Sequence, residues 1–150
     1  MNEADARAAI VASARDWVGT PYHHAADVKG VGVDCAMILV RIFCDLDLCA
    51  TFDPRPYTRD WMLHRDEERY LGFLLEHSTE VADPLPGDVV LFRFGRCFSH
   101  GGVVTQTRPL TIIHAFAPAR MVIEEDIARN AELATKLSSA KFARLKGVRS

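Results

Sequence analysis

Residues 30–48 read GVGVDCAMILVRIFCDLDL, and this stretch decides the fold. From position 35 to position 48 it is apolar on most helical faces, with Arg41 and Asp45 one turn apart on the remaining stripe. A helix with so narrow a polar stripe belongs in the middle of a domain. Gly30, Val31, Gly32, Val33 and Asp34 lead into it, so Cys35 falls in its first turn.

Working outward toward the N-terminus, residues 4–18 place Ile10, Val11, Ala14, Trp17 and Val18 at helical spacing, and Gly19 followed by Pro21 supplies a stop. This predicts an amphipathic first helix, then a polar loop over residues 22–33. Toward the C-terminus, Pro54, Pro56, Tyr57 and Trp61 suggest an ordered loop over residues 51–65, and residues 66–77 a short helix. From Asp83 the period changes: DVVLFRF, HGGVVTQ, TIIHAFA and MVIEE are β-rich runs punctuated by Gly95, Pro109 and Pro118. They predict an antiparallel meander, followed by a helix around residues 127–137 and a last strand near 141–148. Helices first and strands second indicate an α+β fold, a single domain over residues 1–150, with the helices packed on one face of the sheet.

The 150 residues are nearly half apolar and one quarter charged, the composition of a globular domain. A net charge of −2 with interspersed signs provides no basic stripe, so nucleic acid is not an expected partner. Glu3, Asp5, Arg7, Arg15 and Asp16 interrupt the first twenty residues, and the longest apolar run, residues 36–40, is short. Neither a signal peptide nor a membrane span is expected, and synthesis in the cytoplasm is. Cys44, Cys49 and Cys97 are expected to be buried thiols rather than a disulfide framework.

A thiol at a helix start feels the positive end of the macrodipole and unpaired backbone donors, which lower its pKa. The same amides can hold an oxyanion. The segment by itself describes equally a cysteine that merely opens a buried helix. The histidines add the discriminating signal: His100 opens one strand after Ser99, and His114 lies in the next. If these strands pair about a turn at residues 107–109 in even-sum register, the two rings share a face and sit diagonally, within mutual reach. Gly102 would then lie opposite His114 and leave room for its ring. A helix-start nucleophile, a base on a facing strand and a second polar group behind the base make a generalised triad.

ARDWVGTPYHHAADVKGVGVDCAMILVRIF, LPGDVVLFRFGRCFSHGGVV and IIHA, in this order, resemble the motifs of the papain-like NlpC-type cell-wall cysteine peptidases over residues 8–117. The resemblance implies Cys35 as nucleophile, His100 as base and His114 as the group orienting it. It also implies that Tyr22 points its hydroxyl at the oxyanion or thiolate, that Asp34 supports the turn before the helix, and that His23, His24 and Ser99 are candidate cleft residues. The implied reaction is hydrolysis of peptidoglycan stem-peptide bonds of the D-γ-glutamyl-diamino acid type, with no cofactor or metal. The family usually has Ser-Gly after the cysteine, whereas this chain has Ala36 and Met37, which replaces a small side chain near the cleft by a bulky one and leaves the shape of the substrate pocket open. DPRPYTRDWMLHRDEERYLGFLLEH is most similar to the version found with phage tails and prophages, which makes tail proteins candidate partners and the virion the candidate location. Three other readings stand beside this one: an amidase or acyltransferase of the same fold, a non-enzymatic tail adaptor, and a zinc site built on His23, His24 and Cys35.

Overall fold

The computed structural model describes residues 2–48, 76–95 and 97–148, with Cys97 through its backbone. The loop and helix expected over residues 51–75, the Cys49 thiol and the Cys97 side chain lie outside this description. The first helix, α1 (Glu3–Asp16), is capped by Asn2, whose side chain accepts from Asp5 N at 2.8 Å, and it buries Ala6, Ile10, Val11 and Ala14. The chain then turns through Gly19 and forms a small hairpin, β1 (Asp27–Val28) with β2 (Gly32–Val33). It enters the central helix α2 (Cys35–Asp45), whose buried residues include Met37, Ile38, Leu39, Val40, Ile42 and Phe43. The polar stripe is there as expected: Arg41 lies 3.6 Å from Asp45 and 3.9 Å from Asp27.

The remaining strands are β3 (Ser78–Val81), β4 (Val89–Phe94), β5 (Cys97–Thr107), β6 (Leu110–Phe116), β7 (Met121–Asp126) and β8 (Lys141–Leu145). They form one antiparallel sheet in the order β3-β8-β4-β5-β6-β7. The four-strand meander therefore forms as the period-2 pattern predicts, and β8 returns to the free side of β4. The model thus has the expected mixed architecture of N-terminal helices and a C-terminal sheet.

Alternation along the strands divides the core in two. Val89, Leu91, Val103, Ile113, Ala115 and Val122 pack with α1 and α2. Val90, Phe92, Val104 and Ile112 pack instead with Ile127 and Leu133. The last helical segment thus covers the opposite face, which corrects the expectation that all helices share one face. It is also shorter than the pattern suggests: a 3-10 turn at Ile127–Arg129, then α3 (Ala131–Lys136), then a second 3-10 turn at Leu137–Ser139. Asn130, capping α3 through Leu133 N at 3.1 Å, breaks the run.

Asp88, which follows Gly87 at φ 95°, clamps α1 to the sheet. Its carboxylate is fully buried and accepts from Arg7 Nη1 at 3.0 Å, Arg144 Nε and Nη2 at 3.0 and 2.9 Å, and Leu85 N at 2.8 Å. Removing one partner of a buried pair leaves the others uncompensated. Asp88→Ala is expected to lower unfolding free energy by about 3 kcal/mol, read as a reduced urea midpoint, whereas Glu80→Ala, whose contact with Lys141 is solvent-exposed, should change it little.

Candidate active site

Three local devices bring the site together. Asp34 is the N-cap of α2: its Oδ1 accepts from Ala36 N at 3.2 Å and Met37 N at 2.9 Å, and its Oδ2 accepts from Ala25 N at 2.7 Å. This fixes Cys35 in the first turn, where its Sγ donates to the Ser99 carbonyl at 3.6 Å. Second, Gly19, Thr20 and Tyr22 run beside the start of β7, through Gly19 N to Val122 O at 2.9 Å, Val122 N to Thr20 O at 2.9 Å and Tyr22 N to Arg120 O at 2.8 Å. Third, β5 carries a bulge: Phe92 faces His100 but Arg93 faces Phe98, so Ser99 is the extra residue. Bulges re-aim side chains, and the extra residue here is the one whose carbonyl touches Cys35, immediately before His100.

The even-sum register holds where it matters. Val103 faces Ile113 and Val104 faces Ile112, which continues to Gly102 opposite His114; beyond Thr105 a second bulge shifts it. A Cβ on Gly102 would lie 3.0 Å from His114 Cβ and 2.9 Å from the Ile113 carbonyl, so only glycine fits. His100 Nε2 and His114 Nδ1 are 2.7 Å apart. Behind them His114 Nε2 is 2.7 Å from Glu125 Oε2, and Asn130 Nδ2 donates to the same oxygen at 3.0 Å.

Tyr22, Cys35, Ser99 and His100 line one cavity of about 120 Å³, together with Phe94, Phe116 and Glu132. His23 and His24 are not among its lining residues, and the exposed His23 ring contacts the His24 carbonyl at 3.1 Å. Ser99 is buried, and its Oγ has no hydrogen-bond partner among the described residues. Ala36 and Met37 are 3% and 1% exposed and belong to the α1–α2 core. Neither lines the cavity, so the departure from Ser-Gly falls in the core rather than in the cleft.

The electrostatics differ from the helix-start expectation. Burial is the largest influence on the Cys35 thiol and raises its pKa well above the ordinary value; the adjacent Asp34 charge raises it further. The N–H groups of Cys35, Ala36 and Gly101 act in the other direction but do not prevail. The cap that starts the helix therefore opposes the dipole of that helix at the sulfur. His100 lies among Phe92, Phe94 and Phe116, with ring centroids 5.7–6.1 Å away. Burial, and then His114, lower its pKa well below 6.5. Burial also pushes His114 down to about 4. All three shifts favour the neutral form of the group concerned.

No family model matches the sequence, and no curated protein matches it. Solved structures do. The NlpC/p60 domain of the peptidoglycan hydrolase SagA is 20% identical and superposes with a TM-score of 0.57 over 91% of this chain and 96% of that one. This chain has the NlpC/p60 fold. NlpC1 from Trichomonas vaginalis is 17% identical, with a TM-score of 0.58 over 85% of this chain and 41% of that one. An N-acetylmuramoyl-L-alanine amidase from Bacteroides uniformis is 10% identical, with a TM-score of 0.61 over 95% and 99%.

On this NlpC/p60 fold, sequence reasoning named Cys35, His100 and His114 but missed Glu125, Asn130 and the phenylalanine cage. A signal for Glu125 existed: in MVIEE it shares a strand face with Ile123, which pairs with His114, so it is an acid at an inward position.

Two titrations test these electrostatics. Asp34→Asn keeps a capping oxygen and removes the charge, so the Cys35 pKa should fall, read from thiolate ultraviolet absorbance against pH; an unchanged or raised value would contradict the assignment. Because folding lowers the histidine pKa values, the unfolded chain takes up protons first as pH drops. Stability should therefore decline from pH 6.5 toward about 4, by up to about 3 kcal/mol from His114. His114→Gln should flatten that decline in urea melts.

Proposed function

We propose that this protein is a cysteine hydrolase acting on the peptide part of bacterial cell wall, with Cys35 as nucleophile and His100 as base. The observation that carries the reading is one cavity lined by both the helix-start thiol and an imidazole held from behind by His114. The NlpC/p60 fold, shared with a domain named as that of a peptidoglycan hydrolase, supports the substrate class. A cavity of about 120 Å³ holds a peptide group and its neighbours rather than a whole drug-sized ligand, which suits an extended stem peptide lying across the surface.

From a neutral pair, His100 takes the Cys35 proton as sulfur attacks the scissile carbonyl, so no thiolate need stand free in the resting protein. The carbonyl oxygen becomes an oxyanion. We assign the Cys35 amide and the Tyr22 hydroxyl to it, on the place of both residues in the cavity lining. The imidazolium then protonates the leaving amine, the C–N bond breaks, and a thioester remains. Water, deprotonated by His100, attacks the thioester; sulfur leaves and regains its proton, and a carboxylic acid is released. None of these steps uses a metal. We assign the D-γ-glutamyl-diamino acid linkage as the bond cut, on the resemblance of the motifs.

A second reading, cleavage of the N-acetylmuramoyl-L-alanine amide, uses the same pair on a different acyl donor. The superposition on the B. uniformis amidase favours it. Association with phage tails rests on residues 53–77 alone, as a resemblance of sequence.

Incubation with purified sacculi and mass analysis of released muropeptides tests both readings: new termini at the γ-glutamyl bond support the peptidase, and free lactyl groups support the amidase. Cys35→Ala should abolish release and leave the fold intact. His100→Asn should reduce turnover by about 10²–10⁴-fold, and His114→Asn should retain more activity than His114→Ala. Release near the wild-type rate by Cys35→Ala, or none by the wild type, would return the non-enzymatic adaptor to first place.

A further inference from the structure

A carboxylate closes the line of contacts behind His100. Three links are on one path: His100 Nε2 to His114 Nδ1 at 2.7 Å, His114 Nε2 to Glu125 Oε2 at 2.7 Å, and Asn130 Nδ2 to the same oxygen at 3.0 Å. The orientation of Asn130 is fixed, because its Oδ1 accepts the Leu133 N–H at 3.1 Å and so its amide nitrogen must face Glu125. His114 itself is fully buried, so its ring nitrogens depend on these two partners, His100 and Glu125.

At each link one atom donates and the other accepts. A carboxylate oxygen only accepts, so His114 carries its proton on Nε2; the other tautomer would set two lone pairs against each other at hydrogen-bond distance. Nδ1 of a neutral His114 is then an acceptor, and His100 must donate to it from Nε2. That leaves Nδ1 of His100 without a proton. We propose that Glu125 is a positioning residue that sets the tautomers of both imidazoles and so makes Nδ1 of His100 the atom that accepts a proton. When His100 becomes cationic, its Nε2–H still points at a lone pair, so the line of bonds needs no rearrangement. The neutrality of His114 that burial enforces is consistent with this, since a protonated His114 would present a donor to His100.

A merely structural Glu125 would hold β7 to α3 through Asn130 and leave the tautomers alone. Long-range proton–nitrogen correlation NMR on the full chain labelled with ¹⁵N-histidine separates the two near neutral pH. In the wild type both rings should be protonated on Nε2. In Glu125→Ala, signals of the Nδ1–H form should appear for one or both rings. Glu125→Gln should restore the wild-type pattern, because its amide oxygen can accept from both His114 and Asn130. If the cellular reaction is the hydrolysis proposed above, kcat should fall at least about tenfold further in Glu125→Ala than in Glu125→Gln, with KM unchanged. That arm depends on the hydrolase reading; the NMR arm does not. A wild-type His100 protonated on Nδ1, or unchanged tautomers in Glu125→Ala, would overturn the proposal. Should Glu125→Ala not fold, Glu125→Met keeps the volume and is read by the same criteria.

Discussion

The Asp34 carboxylate ties the start of the central helix to the loop before it. One oxygen accepts from the first turn of α2, and the other accepts from Ala25 in the loop that precedes it. With both satisfied, the start of α2 is immobilised against β5, and Cys35 comes to rest at the Ser99 carbonyl. The cost falls on the sulfur, because a buried negative charge next to it disfavours a second one. The structure thus secures position at the expense of resting reactivity.

That exchange is coherent with the surroundings of His100. An imidazole enclosed by Phe92, Phe94 and Phe116 resists protonation for the same reason that the thiol resists ionisation. Separate charges in such a cavity are expensive, whereas transfer of one proton between two neutral neighbours creates both charges together, where each stabilises the other. In the proposed reaction, reactivity would therefore belong to the occupied cavity rather than to the sulfur alone.

Much of this was legible in the sequence, and the parts that were not have physical reasons. The breadth of the apolar surface over residues 35–44 identified the central helix, and the period-2 runs identified β4 to β7. Parity placed His100 and His114 on one face because strand geometry allows no other outcome once the register near Gly102 is fixed. The hairpin of β1 and β2 and the strand β3 were missed because each is too short to show a period. The direction of the thiol shift was missed because a helix terminus can be read from the chain, but its depth of burial cannot. The place of Met37 was open for a related reason: adjacency to Cys35 in sequence says nothing about side-chain direction, and one residue along a helix turns a side chain by about 100°.

The strand β7 ends the sheet, and an unpaired edge of this kind is a template on which another chain can add a strand. Here that edge is occupied from within. Gly19, Thr20 and Tyr22 exchange backbone hydrogen bonds with Arg120 and Val122, while Pro21, bridged to Met121, has no N–H to offer a newcomer. The turn that carries Tyr22 to the cavity thereby also guards the start of this strand against pairing with another chain.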